Sequence, residues 1–551
     1  MRRSRGCRLA VDLTASVQPS IALGHRMSDK MPETPTLGPY PPASPMQNLL
    51  AAAKGGSIIF SSSLFSYGVR SVLGIVLARS LGPEQFGLYN LSLTTIAIAS
   101  GLSLLGMKTA MVRYVSLYLS RRDERGVWGT IQVGVGLTAA ISIFLGISLY
   151  LGAELIAQQL FHDPRLAPLL RLVSLVVPFL TLVDILAATT RGFKKMQYTA
   201  IATDMSQPVM KLLLTVALLV TGLTAAKALV AHNVSVIIAF VLLVYFLNGL
   251  FPLKRPLTAI GRETKEMLAF SLPIYFGYLI QTFRGNIQTI LLGAMQTVAS
   301  VGLFTVAAQV ESVSDMFHQS IATSSMPIIS ELHAQGDREG MGRFYQTLTK
   351  WTFALNLPFF MTVVSFPATI LSIFGDDYVG GALALTILAW GALINTATGI
   401  CGVVITMTGN TRLSFVNSLV ATVLTVSLSA LLIPRWGVVG VATASLVAAS
   451  TINLLRLLEV FFLFRLLPYD ASFLKPILAG LAAFLVAWFI RQALHTETSL
   501  VYAAMNAAIL FAVYGGMILL LGLSEEDRAV LTRVARRANV KWLRRGNHKG
   551  V

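Results

Sequence analysis

The chain has 551 residues, 55% of them hydrophobic and 12% charged, with a mean hydropathy of +0.70. That balance excludes a soluble globular protein. Apolar runs of about 20 residues recur from Ser57 to Gly522 and mark a polytopic helical membrane protein. A transmembrane barrel is excluded because its strands would alternate apolar and polar residues, and the net charge of +18 is distributed as a topology signal rather than as a nucleic-acid surface.

Residues 1–48 are rich in Pro, Ser and Arg, with PETPTLGPYPPASP at their centre, and read as a disordered cytoplasmic tail. They lack an apolar core adequate for a cleavable signal peptide, and Met27, Met31 and Met46 leave the start position open. Cys7 follows Arg5-Gly6 in that tail, and Cys401 falls in a predicted membrane helix; neither is placed for a disulfide.

Fourteen helices are predicted, near 55–79, 88–108, 127–152, 166–190, 199–221, 224–249, 266–293, 300–330, 344–373, 380–408, 413–433, 437–464, 473–491 and 498–522. Polar residues interrupt those starting at 199 and 300. With the N-terminus inside, the short inner loops hold 18 Lys and Arg and the short outer loops hold 5. This bias places both termini in the cytoplasm and favours an even number of helices. The expected domains are an N-lobe over 49–249, a cytoplasmic linker over 250–265 (FPLKRPLTAIGRETKE), a C-lobe over 266–466 and two further helices over 467–522. A basic cytoplasmic tail over 523–551 reads as an amphipathic helix on anionic lipid, or as a plain orientation-setting tail.

The two lobes repeat one pattern. Arg70 lies in SLFSYGVRSVLGIVLA and is followed by Phe86-Gly87-Leu88-Tyr89 and Asp123-Glu124-Arg125-Gly126. Arg284 lies in GYLIQTFRGNIQTILL and is followed by Val301-Gly302-Leu303-Phe304 and Asp337-Arg338-Glu339-Gly340, at offsets of 214, 215 and 214 residues. Each repeat has six helices, an even number, so both enter the membrane from the same side. The repeats are therefore expected to be parallel, related by a pseudo-twofold along the membrane normal. Gly87 and Gly302 sit where a short outer connection brings one helix against the end of another.

Charges inside a membrane are functional candidates. Arg70 shares a helical face with Ser63, Tyr67 and Gly74, and Arg284 shares one with Gln281 and Gln288. Both faces point away from lipid, and a guanidinium fork suits phosphate oxygens. Arg70 and Arg284 are therefore candidates for receiving an anionic head group, against the reading that each pairs with a neighbouring carboxylate. Lys211, three residues after Pro208, is a third cationic candidate; its alternative is a bridge to Asp204, two turns earlier. Glu311, Asp315 and His318 fall on one face of the eighth helix and are candidates for ion coupling or for neutralising Arg284. Arg456 and Glu459 read as a structural i,i+3 pair, and Arg171 and Asp184 lie nearer helix ends, placed to snorkel. The sequence holds no G-x-x-x-x-G-K-[ST], H-E-x-x-H or G-x-S-x-G, and its outer connections are too short for a catalytic domain. No cofactor, metal or nucleic acid is expected.

LARSLGPEQFGLYNL (77–91), FGDDYVGGALALTILAWG (374–391), GNTRLSFVN (409–417) and LIPRWGVVGVATASLVA (432–448) together resemble the polysaccharide flippases of the multidrug/oligosaccharidyl-lipid/polysaccharide exporter superfamily. The resemblance covers about 50–522. It implies two six-helix lobes around a central cavity, often with two extra helices. It also implies transport of a polyprenyl-(pyro)phosphate-linked oligosaccharide from the inner to the outer leaflet of the cytoplasmic membrane, for cell-surface polysaccharide biosynthesis. Glycosyltransferases and a polymerase of the same pathway would be partners. A cation-coupled multidrug antiporter of the same superfamily, and a membrane glycosyltransferase or polymerase, stand as alternatives.

Overall fold

A computed structural model describes residues 45–252, 261–494, 500–522 and 527. Of the expected segments, the tail up to residue 44, most of the inter-lobe linker and the basic C-terminal tail apart from Asp527 lie outside the described residues. The chain divides into Met1–Ala52, of which only the first residues of a helix are described, and the body Ala53–Val551, which holds everything below.

The body is all helical, with no strand among the described residues. The first half contains α1 (Pro45–Ser103), α2 (Met107–Ser120), α3 (Glu124–Leu155), α4 (Leu166–Ser174), α5 (Val177–Gly192), α6 (Met196–Thr199), α7 (Gln207–Leu219) and α8 (Ala225–Leu250). The second half contains α9 (Gly261–Met295), α10 (Val298–Ala334), α11 (Arg338–Ser365), α12 (Pro367–Ser372), α13 (Ala382–Thr398), α14 (Cys401–Met407) and α15 (Thr411–Phe464). The last pair, α16 (Leu474–Leu494) and α17 (Leu500–Leu520), packs together and against α11.

Seven described helices are long and apolar enough to cross a membrane, and the pair α4 and α5, bent by 42°, makes an eighth if counted as one span. This is fewer than the fourteen expected, for two physical reasons. First, α1 and α15 each hold two of the expected helices, parted by a break. The chain stays helical on both sides of Gly82 (φ 68°) in α1 and of Gly437 (φ 53°) in α15, left-handed conformations that glycine adopts without steric cost. At the first break the Tyr378 hydroxyl donates to the Ala78 carbonyl (3.1 Å) while its ring meets Phe86 at 6.3 Å, so the chain has turned back. At the second, Gly440 lies against the Leu432 carbonyl. Second, α9, α10 and α11 are long, at 35, 37 and 28 residues, but polar residues interrupt their apolar runs.

Other predicted helices are broken. A left-handed turn at Leu105 and Gly106 separates α1 from α2, and Gly399 separates α13 from α14. Pro367 restarts the helix after Ser365, consistent with the conformational restriction proline places on its predecessor. A π-helical segment, Ala200–Ser206, precedes Pro208; such segments re-satisfy backbone groups near a proline.

The halves meet along α1, α2, α9 and α10. A Cβ on Gly87 would collide with the carbonyl oxygen of Val298, and one on Gly302 would collide with the carbonyl oxygen of Pro83. From this crossing, 87–114 runs antiparallel to 298–266: Leu91 packs on Gly293, Gly101 on Thr282 and Gly106 on Ser271. The Tyr275 hydroxyl donates to the Leu102 carbonyl at 2.9 Å, and the Arg113 guanidinium lies 4.1 Å from the centre of the Phe270 ring. On the other seam, Gly74 packs against the Gln309 side chain. Beyond it Tyr67, Arg70 and Asp315 are exposed.

Candidate functional site

The predicted charges fall into two clusters, one in each half. In the first, Arg70 and Tyr67 project from α1, and Lys211 projects from α7 within electrostatic reach of Arg70. Lys211 Nζ lies 5.3 Å from the centre of the Tyr89 ring, where the ring face would favour a positive charge. The bridge from Lys211 to Asp204 does not form. Asp204 instead accepts from Ser62 Oγ (2.8 Å) and Thr203 Oγ1 (3.1 Å). Seven residues would put the two on one face of a regular α-helix, but Asp204 lies in the wider π-helical segment, which breaks that register.

In the second half, α9, α10, α13 and α15 enclose a cavity of about 530 Å³. Its lining includes Arg284 and Gln288 from α9, Glu311, Asp315 and His318 from α10, and Arg456 from α15. Gln288 is fixed by donating to Ser445 Oγ at 2.6 Å, and Asn453 Nδ2 donates to Asn395 Oδ1 at 3.0 Å. Both Asp315 and Arg456 lie within electrostatic reach of Arg284. Among the described residues, however, no carboxylate stands within 4.0 Å of either guanidinium. The expected neutralisation of Arg284 by the acidic face of α10 is one of proximity, not of a closed ion pair. Gln281, on the exposed surface of α9, is not among the lining residues.

Arg456 is the cavity residue that the sequence reading missed. Its expected pairing with Glu459 does not occur, because Glu459 accepts from Asn417 Nδ2 at 2.6 Å while Arg456 turns into the cavity. One signal was available: Ser445, Ala449, Asn453 and Arg456 form a small and polar stripe along α15. Arg171 and Asp184 do find partners, Glu154 at 2.9 Å and Lys108 at 2.8 Å.

The LGPEQFG turn has a structural account. Glu84 accepts from Arg165 at 2.8 Å, and the Gln85 side chain accepts from the Ala225 backbone N–H at 2.8 Å, capping the start of α8. Arg165 also donates twice from its side chain to Asp163, at 3.0 and 2.8 Å, and once from its backbone at 3.0 Å. These donors hold the Asp163 carboxyl below the usual carboxylate range and push the Arg165 guanidinium up. The motif residues thus clamp the connections at one end of the first half, and Pro83 supplies the carbonyl that Gly302 packs on.

Residues 52–333 match the family described as "Polysaccharide biosynthesis protein", and residues 273–431 match the family described as "MatE". The chain is 25% identical over 157 residues to "Stage V sporulation protein B" of Bacillus subtilis, covering 28% of this chain and 30% of that protein. It is 24% identical over 165 residues to "Probable low-salt glycan biosynthesis flippase Agl15" of Haloferax volcanii, covering 29% of this chain and 35% of that one. The aligned regions thus span about a third of the length of these curated relatives. In fold it is similar to "Lipid II flippase MurJ, inward closed conformation", with a TM-score of 0.70 at 14% identity over 84% of this chain and 98% of that one.

Proposed function

The chain belongs to the polysaccharide biosynthesis protein family, and from that premise we propose that it is a flippase. It moves a polyprenyl-(pyro)phosphate-linked oligosaccharide from the cytoplasmic to the outer leaflet. Similarity to a protein named a glycan biosynthesis flippase and to the fold of a lipid II flippase supports this reading. The observation that carries it is the pair Arg284 and Arg456, which line a cavity of about 530 Å³ and, among the described residues, have no carboxylate within ion-pairing distance. Guanidinium groups at membrane depth are costly unless paired or wet, and two placed together suit a multiply charged phosphate.

On this reading the chain crosses the membrane fourteen times as two parallel six-helix lobes, with α16 and α17 added and both termini in the cytoplasm. The phosphate binds between Arg284 and Arg456 and approaches Arg70 across the exposed part of the α1–α10 seam. The sugars occupy the wet interior, and the polyprenyl tail stays in lipid. Rocking of the halves about the Gly87–Gly302 crossing then exposes the head group on the other side. Glycosyltransferases and a polymerase would supply and consume the cargo. The protein itself is a transporter, not an enzyme.

The second reading, a cation-coupled multidrug antiporter, is favoured by Glu311 and Asp315 in the same cavity and by the MatE match. One experiment separates the two. Purified full-length protein is reconstituted in vesicles carrying a fluorescent lipid-linked oligosaccharide, and flipping is followed by quenching of the probe in the outer leaflet. Flipping supports the proposal. Its absence, with proton- or sodium-driven uptake of organic cations, supports the antiporter.

A further inference from the structure

The first-half cluster contains more polar groups than partners. Lys211 has neither a hydrogen bond nor an ion pair among the described residues; its Nζ lies over the ring of Tyr89. The Tyr89 hydroxyl, the Thr215 hydroxyl and both ring nitrogens of His232 are buried and have no hydrogen-bond partner among the described residues. These groups belong together: Thr215 is one helical turn from Lys211, and His232 on α8 lies within electrostatic reach of Lys211. Among the described residues, the charged and titratable groups facing Lys211 are Arg70 and Tyr89 from α1 and His232 from α8. The Asp204 carboxylate on its own strand of chain is taken up by Ser62 and Thr203.

Two basic side chains therefore stand near each other, and among the described residues no carboxylate is paired with either. An arginine remains protonated under all ordinary conditions, whereas a lysine amine can release its proton and persist as a neutral group. Arrival of an anion at the exposed Arg70 reverses the local sign and favours the ammonium form of Lys211. Binding linkage is reciprocal, so a proton on Lys211 then raises affinity for the anion by the same factor.

We propose that Lys211 is the proton-binding group of this transporter, taking up a proton when a phosphate head group binds beside Arg70. This rests on the anionic-substrate reading given above and adds the residue that ties binding to pH. The step balances simply: a neutral amine plus one proton from solvent gives the ammonium, with no other bond made or broken.

The test is calorimetric titration of the full-length protein in lipid nanodiscs with a short-chain polyprenyl pyrophosphate, in buffers of different ionisation enthalpy and across neutral to alkaline pH. Wild-type protein should take up protons on binding, with affinity falling as pH rises. Lys211→Arg, which keeps the charge permanently, should bind without proton uptake and with a flat pH profile. Lys211→Met should be equally flat and weaker by about tenfold or more, the order expected when a charged contact is lost. His232→Gln should retain the uptake. Uptake that persists in Lys211→Arg, or vanishes in His232→Gln, would overturn the proposal. Wild-type binding without uptake would overturn it alone, whereas no wild-type binding at any pH would overturn the anionic-substrate reading with it.

Discussion

Gly87 and Gly302 make one contact twice. Gly87 packs on the carbonyl of Val298, and Gly302 packs on the carbonyl of Pro83. Each residue is 215 positions from its counterpart, so the two repeats meet through the same surface, as in an isologous dimer interface. Backbone is the obstacle on both sides and has little room to yield. Gly87→Ala and Gly302→Ala are each expected to destabilise the protein by about 1–3 kcal/mol through overpacking, and by similar amounts. Thermal unfolding of the two purified variants checks both statements.

The separation of Arg456 from Glu459 makes two adjacent substitutions behave differently. Arg456→Gln should lower flipping by about tenfold or more, since it removes a charge-assisted contact to the head group, with membrane insertion intact. Glu459→Gln keeps a carbonyl to accept from Asn417 and should leave flipping near wild type. A vesicle flipping assay on both decides; equal losses would restore the pair as one unit.

Asp163 sets an acid limit on the clamp at the LGPEQFG turn. Its carboxyl is held below the ordinary range by hydrogen bonds from Arg165. A depressed folded value means stability that is present above the unfolded value and lost as pH falls through the folded one. The stability difference between wild type and Asp163→Asn should therefore be constant near neutrality and shrink once pH drops below about 4. Arg165 is 56% exposed at its side chain, so solvent screens this pair and the gap should be small. Melting temperatures of both proteins against pH measure it.

Asp527 ties the start of the C-terminal segment to α11. It accepts from Lys350 Nζ at 3.0 Å and from Trp351 Nε1 at 2.7 Å, and Lys475 nearby donates to the Gly522 carbonyl at 2.6 Å. The Lys350 side chain is only 7% exposed, so this acceptor compensates a buried cation. Asp527→Ala should lower the melting temperature and raise protease sensitivity at the C-terminal end. Limited proteolysis with a melting curve checks both effects.

The two-repeat architecture was legible because it rests on long-range regularities: apolar run length and a constant offset between Arg70 and Arg284, Gly87 and Gly302. The cavity charges on α9 and α10 were legible because a polar stripe on an apolar helix has a clear period. Two features were not. The π-helical segment before Pro208 shifted Asp204 away from Lys211, and no helical-wheel argument with a fixed period anticipates that. Arg456 was assigned to Glu459 because the two are close in sequence, whereas Asn417, 42 positions from Glu459, supplies the actual partner.

The central claim is that paired cationic side chains receive the phosphate of a lipid-linked oligosaccharide. The most direct test compares flipping by wild type and by an Arg284→Gln/Arg456→Gln double variant in the same vesicles, with insertion and folding matched. Robust wild-type flipping that falls to the level of protein-free vesicles in the double variant is the result predicted. Undiminished flipping by the double variant would contradict it.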